Sequence, residues 1–167
     1  MFRRIDDFLQ AWQGQSESTA KYFALLDDEN IGQTVVDGHR SLGQIAWHIV
    51  TTLPEMMNQV GLGLASVGHE TMPPSTAAEI AKSYEAVAKE LAEAVKSQWD
   101  DAKLEEVDSM YGMDWPKGLT LRILIDHEIH HRGQMNVLLR QAGVKPPGIH
   151  GPAKEEWKER GMDEPPY

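Results

Sequence analysis

The chain has 167 residues, a formal net charge of −10 and no cysteine. Its length predicts one domain. The lack of cysteine excludes disulfides, thiolate zinc sites and a cysteine nucleophile, and the acidic charge opposes binding to nucleic acid or an anionic membrane. The N-terminus turns acidic before any apolar core of a signal peptide, and no window approaches the roughly 20 apolar residues of a membrane span. We therefore expect a cytoplasmic protein.

Four segments carry the apolar spacing of a helix, with a residue every three or four positions. The first covers residues 5–26 and contains a polar interruption around Ser16. The second begins at Ser41, whose hydroxyl can form a capping box with Gln44. Pro54 lies inside this second segment and removes a backbone hydrogen bond, so a kink or a break is expected there.

The third helix is predicted from about Ser75 or Thr76 to Trp99, and the fourth from about Leu119 to Ala142. Gly143 follows the fourth helix as a left-handed stop. Alternation with period two is absent over any useful length, so residues 108–118 are expected to form a loop. Four helices of this length predict an all-α protein, a four-helix bundle.

The C-terminal residues differ in composition from the rest of the chain. Residues 144–167 are rich in Pro and Gly, with one short helix expected around residues 153–160. No internal repeat divides the chain. We therefore expect a single domain over residues 1–167, with the tail packing on the bundle.

Residues 127–132 (HEIHHR) are the most informative motif. His127 and His131 are four positions apart and share one face of the fourth helix, where Cβ atoms lie roughly 5–6 Å apart. The same face continues with apolar residues, so both imidazoles are expected to point to the core. Two imidazoles at this spacing can bind one cation, and burying them unpaired is costly. The motif predicts a transition-metal site; the alternative is a pair of buried histidines that form hydrogen bonds.

A metal site needs a third ligand, and His48 is the best candidate because it lies in the apolar run of the second helix. His39 and His69 lie in predicted loops and His150 lies in the tail, so these three are expected to be solvated. Three imidazoles leave coordination positions open, which is typical of a catalytic site. Imidazole suits several divalent transition metals; zinc or nickel is expected first, with iron or manganese as alternatives.

Two glutamates are candidates for supporting roles. Glu55 follows His48 by seven residues on the same line of the helix and could accept an imidazole N–H, or it could be an ordinary surface carboxylate. Glu128 completes a His-Glu-x-x-His motif, in which a zinc peptidase uses the glutamate as its general base. The peptidase alternative is weaker, because the extended form of the motif fails at Gly133 and no strand is predicted to bind a peptide. Glu128 is retained as the candidate catalytic residue.

The stretch HEIHHRGQ at residues 127–134, with His48 in a helix about 80 residues earlier, resembles the DinB/YfiT-like superfamily. The resemblance covers roughly residues 1–143. It implies an up-down-down-up four-helix bundle, often a homodimer, in which three histidines bind a divalent metal. Matched position by position, the ligands are His48, His127 and His131. Gly133 then suits close helix packing and Gln134 suits orienting its neighbours, although both also fit a purely structural role.

Superfamily members with known activity are similar to transferases and isomerases that use bacillithiol, mycothiol or related low-molecular-weight thiols. The resemblance therefore implies a small-molecule substrate and a metal-dependent transferase or hydrolase, with a metal-bound thiolate or hydroxide as nucleophile. The alternative is a non-catalytic module that binds a metal or a small molecule.

Other side chains are candidates for binding a substrate. A local basic pocket could offset the acidic surface, and aromatic side chains could line the mouth of a pocket. The arginines are Arg122, Arg132 and Arg140, and the aromatic residues are Trp47, Tyr111 and Trp115.

Overall fold

A computed structural model describes residues 1–67 and 72–166 of the chain. The four long helices are α1 (Ile5–Phe23), α2 (Leu42–Gln59), α3 (Ala77–Gln98) and α4 (Lys117–Gln141). The shorter elements are a 3₁₀ helix (Ala102–Glu105), strands β1 (Val107–Met110) and β2 (Met113–Pro116), and helix α5 (Glu156–Glu159). None of the described helices is long and apolar enough to cross a membrane.

Helix α1 runs parallel to α4. Near the start of both helices, the Phe2 amide donates to the Gly118 carbonyl oxygen at 2.9 Å. Near their far ends, the Tyr22 hydroxyl donates to Asn136 Oδ1 at 3.2 Å. The pairs advance along both helices in the same direction, so the two helices point the same way.

Helix α1 runs antiparallel to α3. The amide of Ile5 donates to the carboxylate of Asp101, just after α3, while the indole of Trp12 donates to the carbonyl of Ala88 in its middle. Helix α2 runs antiparallel to α4, since Ile45 near its start shares a cavity wall with Leu138 near the end of α4.

The four helices therefore form an up-down-down-up bundle, as expected. Helices α3 and α4 each contact both α1 and α2, which places α1 and α2 diagonally across the bundle. The core between them is apolar and includes fully buried Phe8, Trp12, Tyr84 and Leu91. The α2–α4 face, away from α1, carries the histidines.

Helix α2 begins as predicted and does not break at its proline. Ser41 Oγ accepts from the Gln44 amide at 3.3 Å, and Gln44 Oε1 accepts from the Ser41 amide at 2.8 Å, which completes the capping box. Of the kink or break expected at Pro54, the break does not occur, because α2 continues to Gln59. Pro54 is buried in a helix packed against α3 and α4, and this packing offsets the lost hydrogen bond.

Residues 107–116 form an antiparallel hairpin, so the expectation of a loop without strands is wrong. Its turn consists of Tyr111 (φ 52°) and Gly112 (φ 80°). Positive φ at both central residues matches the right-handed twist of a two-stranded hairpin. Each strand has four residues and several of them are exposed, so the sequence shows no readable alternation.

The C-terminal tail contacts the bundle along α1 and α4. The carbonyl of Pro147 accepts from the Tyr22 hydroxyl at 3.2 Å. Arg140 of α4 pairs with Glu155 at 2.9 Å, just before the short helix α5. Val144 and Ile149 pack against the core.

Candidate metal centre

Three histidine side chains meet between α2 and α4. His48 lies in the second turn of α2, where buried Trp47 and Ile49 on either side fix the rotation of the helix. His127 and His131 lie one turn apart in α4. Nε2 of His127 is 3.2 Å from Nε2 of His48 and 3.0 Å from Nε2 of His131. The ligand atoms of the three residues all lie within 4.8 Å of one another.

The spacing of these nitrogens fits one metal ion. At metal–nitrogen distances of about 2.0–2.1 Å, two imidazoles in adjacent octahedral or in tetrahedral positions place their nitrogens about 2.8–3.4 Å apart. The two shortest separations, 3.0 and 3.2 Å, match that range. In the metal-free alternative, His127 Nε2 would have to share its single proton or its single lone pair between His48 and His131. Three nitrogens directed at one point are a donor set for a divalent transition metal.

The surroundings of the site favour neutral imidazoles. Partial burial lowers the pKa of His48 to about 4, and the nearby His131 and Arg40 add to the effect. Burial likewise lowers the pKa of His127 to about 4, with further contributions from His131 and His48. Burial also lowers the pKa of His131. Since only the neutral imidazole binds a metal, all three side chains are ready to bind at neutral pH.

Gln134 fixes the orientation of one of these rings. Its Oε1 lies 2.8 Å from Nδ1 of His131, so it accepts the Nδ1 proton and leaves Nε2 free for a metal. Its Nε2 lies 3.1 Å from Nε2 of His130 on the exposed side. Gln134 thus contacts two histidines, as the orienting role expected for it requires. Glu55 does not fill the equivalent role for an imidazole in the described hydrogen bonds, because its carboxylate accepts from Tyr111 and Gln59 at 2.6 Å each.

Glu128 belongs to a different polar cluster. It is 1% exposed, and its Oε1 accepts from the Thr19 hydroxyl at 2.7 Å and the Tyr84 hydroxyl at 3.0 Å. Arg132 donates to the same Thr19 hydroxyl at 2.9 Å and to Gln15 Oε1 at 2.8 Å. Burial raises the pKa of Glu128. Its carboxylate is thus directed at α1 and α3, whereas His127 is directed at α2, and this weighs against the peptidase hypothesis.

A cavity of about 440 Å³ opens beside His131. Its walls include Val36 and Val137, and its polar lining includes Gln134 and Arg40. A second cavity, of about 230 Å³, borders His48 and also includes Arg40. The metal site is therefore bordered by open space on two sides, which gives a ligand access to it.

The other histidines that the structure describes do not join the site. His39 is exposed and lines the cavity beside His131. His150 is exposed in the tail, as expected. His69 lies outside the described residues. Sequence reasoning missed Arg40, which carries no helical or motif signal because it lies in the loop before α2.

The arginines named from the sequence lie elsewhere. Arg132 and Arg140 line a cavity of about 320 Å³ under the tail. Arg122 is exposed and pairs with Asp126 at 2.7 Å. None of the three is among the described residues that line the two cavities at the histidines.

Of the three aromatic residues named from the sequence, one lies at the histidine site and two lie on the hairpin. Trp47 lines the cavity beside His48 and is largely buried. Tyr111 and Trp115 are in edge contact on the hairpin, with ring centroids 5.7 Å apart. Neither hairpin ring is among the described residues lining the two cavities at the histidines.

Comparison with known proteins identifies the family. The family model described as DinB matches residues 1–163. The chain belongs to the DinB family. A Bacillus subtilis (strain 168) protein named uncharacterized protein YrdA is 39% identical over 165 residues, which is 99% of either chain.

Solved structures show the same DinB fold. The crystal structure of a DinB-like protein from Bacillus cereus ATCC 10987 has a TM-score of 0.87 and 39% identity, over 90% of this chain and 100% of that one. A DinB-like protein from Bacillus subtilis, YjoA, has a TM-score of 0.70 and 16% identity, over 86% of this chain and 97% of that one. The second likeness concerns the fold alone.

One expectation drawn from the DinB resemblance is wrong. Gly133 was expected to permit close helix packing, but a Cβ atom added there would meet no described atom within 4 Å. Gly118, earlier in α4, has that role instead. Its Cβ would lie 2.1 Å from the carbonyl oxygen of Phe2, so only glycine allows the N-terminal segment to approach the helix.

Proposed function

We propose that this DinB-family protein binds one divalent transition metal through His48, His127 and His131 and is a metal-dependent transferase or hydrolase. The convergence of three Nε2 atoms beside an open cavity carries the proposal. Zinc or nickel is proposed first, with iron and manganese as alternatives that the imidazole donors also accept.

The bound metal would act as a Lewis acid that lowers the pKa of a small thiol or a water molecule and so makes it nucleophilic. Three protein donors leave coordination positions for that molecule. Gln134 holds the His131 ring with Nε2 turned inward. The cavity beside His131 would position the electrophilic substrate, and its valine and leucine side chains would exclude water from part of it.

A low-molecular-weight thiol of the bacillithiol or mycothiol type is proposed as the co-substrate. This choice follows the family resemblance of the HEIHHRGQ stretch. The geometry accommodates water equally well, so transferase and hydrolase activity remain two forms of one proposal. Glu128 is proposed to support the site by holding α4 in place, since its hydrogen bonds run to α1 and α3.

Elemental analysis of untagged protein tests the metal. We expect about one equivalent of a divalent transition metal in the wild type, and a large loss in the His127→Ala and His131→Ala variants. His150→Ala is the matched control, because His150 is exposed in the tail and is not part of the histidine cluster. Metal at wild-type levels in His127→Ala, or no metal in the reconstituted wild type, would contradict the proposal.

Turnover then separates an enzyme from a binding module. Wild-type protein is mixed with a small thiol and an electrophile such as a chlorodinitrobenzene, and thiol consumption is compared with that of His127→Ala. Metal-dependent turnover supports the enzyme. Stoichiometric metal whose removal unfolds the chain, with no ligand perturbing the site, would support the non-catalytic module.

The homodimer is proposed on the same resemblance. Light scattering coupled to size-exclusion chromatography tests it, since a monomer has a mass of 18.7 kDa. A mass near this value at micromolar concentration would contradict the homodimer.

A further inference from the structure

The charges of the arginines differ in how they are compensated. Arg122 pairs with Asp126 at 2.7 Å and Arg140 with Glu155 at 2.9 Å. Arg132 is buried against Gln15 and Thr19. Arg40 is exposed, and in the described ranges 1–67 and 72–166 no carboxylate forms an ion pair with it.

Arg40 borders the histidine site. It lines the cavity of about 440 Å³ together with His131, and the cavity of about 230 Å³ together with His48. Among the described residues that line both cavities, Arg40 thus brings a positive charge to the edge of the candidate metal centre. Its positive charge also lowers the pKa of all three histidines, which places it within electrostatic reach of each.

The larger cavity has apolar walls that are open to solvent. Val35 is 60% exposed, Val36 is 53% exposed and Val137 is 50% exposed. Ile45 and Leu138 lie deeper in the same cavity and are buried. A cluster of exposed aliphatic side chains next to a few convergent polar groups is typical of a small-molecule site.

We propose that this cavity binds an amphipathic organic anion. Its carboxylate pairs with Arg40 beside the three histidines, and its apolar part lies against Val35, Val36 and Val137. The planar guanidinium matches a carboxylate with two parallel hydrogen bonds. The inference rests on the proposed function, because the bound anion is taken to be the substrate of the metal centre. To that function it adds the chemical class of the substrate.

Because the overall charge is negative, the binding of an anion in this cavity depends on the positive charge of Arg40. With a net charge of −10, the surface as a whole repels anions. An anion therefore gains affinity at this site through Arg40 and the apolar walls together. A neutral molecule of the same shape gains affinity from the apolar walls alone. Comparing an anionic ligand with its neutral counterpart therefore separates the contribution of Arg40 from that of the walls.

Binding of octanoate and of its neutral isostere octanamide tests the inference. Affinities are measured by ¹H–¹⁵N NMR titration of wild type, Arg40→Gln and the control Arg122→Gln, each with and without metal. We expect octanoate to bind about tenfold more tightly than octanamide in wild type and Arg122→Gln, and about equally in Arg40→Gln. Both arginines are exposed, so neither change is expected to affect folding.

The apolar part of the inference has its own variant. Val137→Ser should weaken octanoate and octanamide binding to the same degree, by about threefold to tenfold. An unchanged affinity of both ligands in Val137→Ser would contradict the apolar contact. Chemical-shift changes confined to residues outside the cavity would contradict the location.

The outcomes distinguish this inference from the proposed function. Full metal occupancy with equal affinity for the two ligands overturns the inference alone. A preference for octanoate that needs the metal and survives Arg40→Gln also overturns it, because the carboxylate then binds the metal. No metal in any sample, with a preference for octanoate that depends on Arg40, overturns the proposed function and leaves the anion site standing.

Discussion

Gln134 follows His131 by about one turn of α4, and its Oε1 lies 2.8 Å from Nδ1 of the His131 ring. Nε2 of the same ring lies 3.0 Å from Nε2 of His127. The amide thereby selects the tautomer that directs a lone pair at the candidate metal position. Interactions of this kind raise the basicity of the ligand and fix its ring. The orientation of the centre therefore depends on a residue that does not itself bind the metal.

Replacing Gln134 by Ala should weaken metal binding by about 10- to 100-fold, because the His131 ring loses its partner. Competition with a chromophoric chelator measures the change. Since Gln134 also contacts His130 at 3.1 Å, His130→Ala is the matched control and should leave the affinity unchanged. Equal losses in the two variants would show that Gln134 acts through His130 or through the helix surface instead.

Protonation of the histidines should destabilise the metal-free protein as the pH falls. The pKa of His48 and His127 is about 4 in the folded chain, whereas an unfolded histidine has a pKa of about 6.5. Between these values the unfolded state binds protons and the folded state does not, so the free energy of unfolding decreases from about pH 6.5 to about pH 4. Above that window the full stability is present.

Chemical denaturation of metal-free protein between pH 7.5 and 4 measures this dependence. His48→Gln should show a shallower decline, because one of the three histidines with a lowered pKa is gone. His150→Gln should retain the wild-type slope, since His150 is exposed in the tail. A wild-type slope in His48→Gln would show that other groups cause the loss of stability.

Glu128 should matter for stability more than for the reaction. Glu128→Ala removes the acceptor for two buried hydroxyls, of Thr19 and Tyr84, and leaves a cavity, at an expected cost of about 2–4 kcal/mol. Glu128→Gln keeps an oxygen acceptor for the two hydroxyls. Its new NH2 group would replace Oε2, which has no described hydrogen-bond partner, so the buried N–H donors would be unsatisfied, at a cost of about 1–2 kcal/mol. Urea denaturation measures both values.

The same Glu128→Gln variant tests the catalytic prediction. We expect it to retain its metal and most of its activity at a temperature where it stays folded. Loss of turnover by about 100-fold or more, with normal metal content and folding, would instead identify Glu128 as a general acid or base. Thr19→Val is a second comparison, since it disturbs the same cluster without removing the carboxylate.

The four long helices and the histidine pair could be predicted because their signals are local. A spacing of four residues places His127 and His131 on one face whatever surrounds the helix, and the capping box at Ser41 is visible in the sequence. His48 could be named as the third ligand because it lies in the apolar run of the second helix, and the family resemblance gave the same residue. No local rule, however, brings α2 against α4. The position of Arg40 depends on how its loop folds back over both helices, which the sequence pattern does not encode.

Helix α4 shows why the environment of Glu128 was not predicted. The apolar stripe through His127 and His131 indicated one buried face, but α4 packs against both α1 and α2. Glu128 and Arg132 therefore lie on a second buried face, 1% and 4% exposed. Two charged residues there look like a solvated surface in the sequence, and only partners on α1 and α3 make their burial possible. The hairpin was missed for a related reason, since its exposed four-residue strands have no apolar face to detect.

The two glycines of α4 should respond in opposite ways to substitution by alanine. In Gly118→Ala the new Cβ would meet the Phe2 carbonyl oxygen at 2.1 Å, so the N-terminal segment must move and its hydrogen bond to the Gly118 carbonyl is lost. We expect a cost of about 1–3 kcal/mol. In Gly133→Ala no described atom lies within 4 Å, and alanine favours the helix, so a gain of about 0.5–1 kcal/mol is expected. Thermal unfolding of the two variants measures the difference. Both changes add one methyl group to the same helix, so each is the control for the other. Equal shifts in Tm would show that helix propensity, and not the contact with Phe2, determines the stability of both variants.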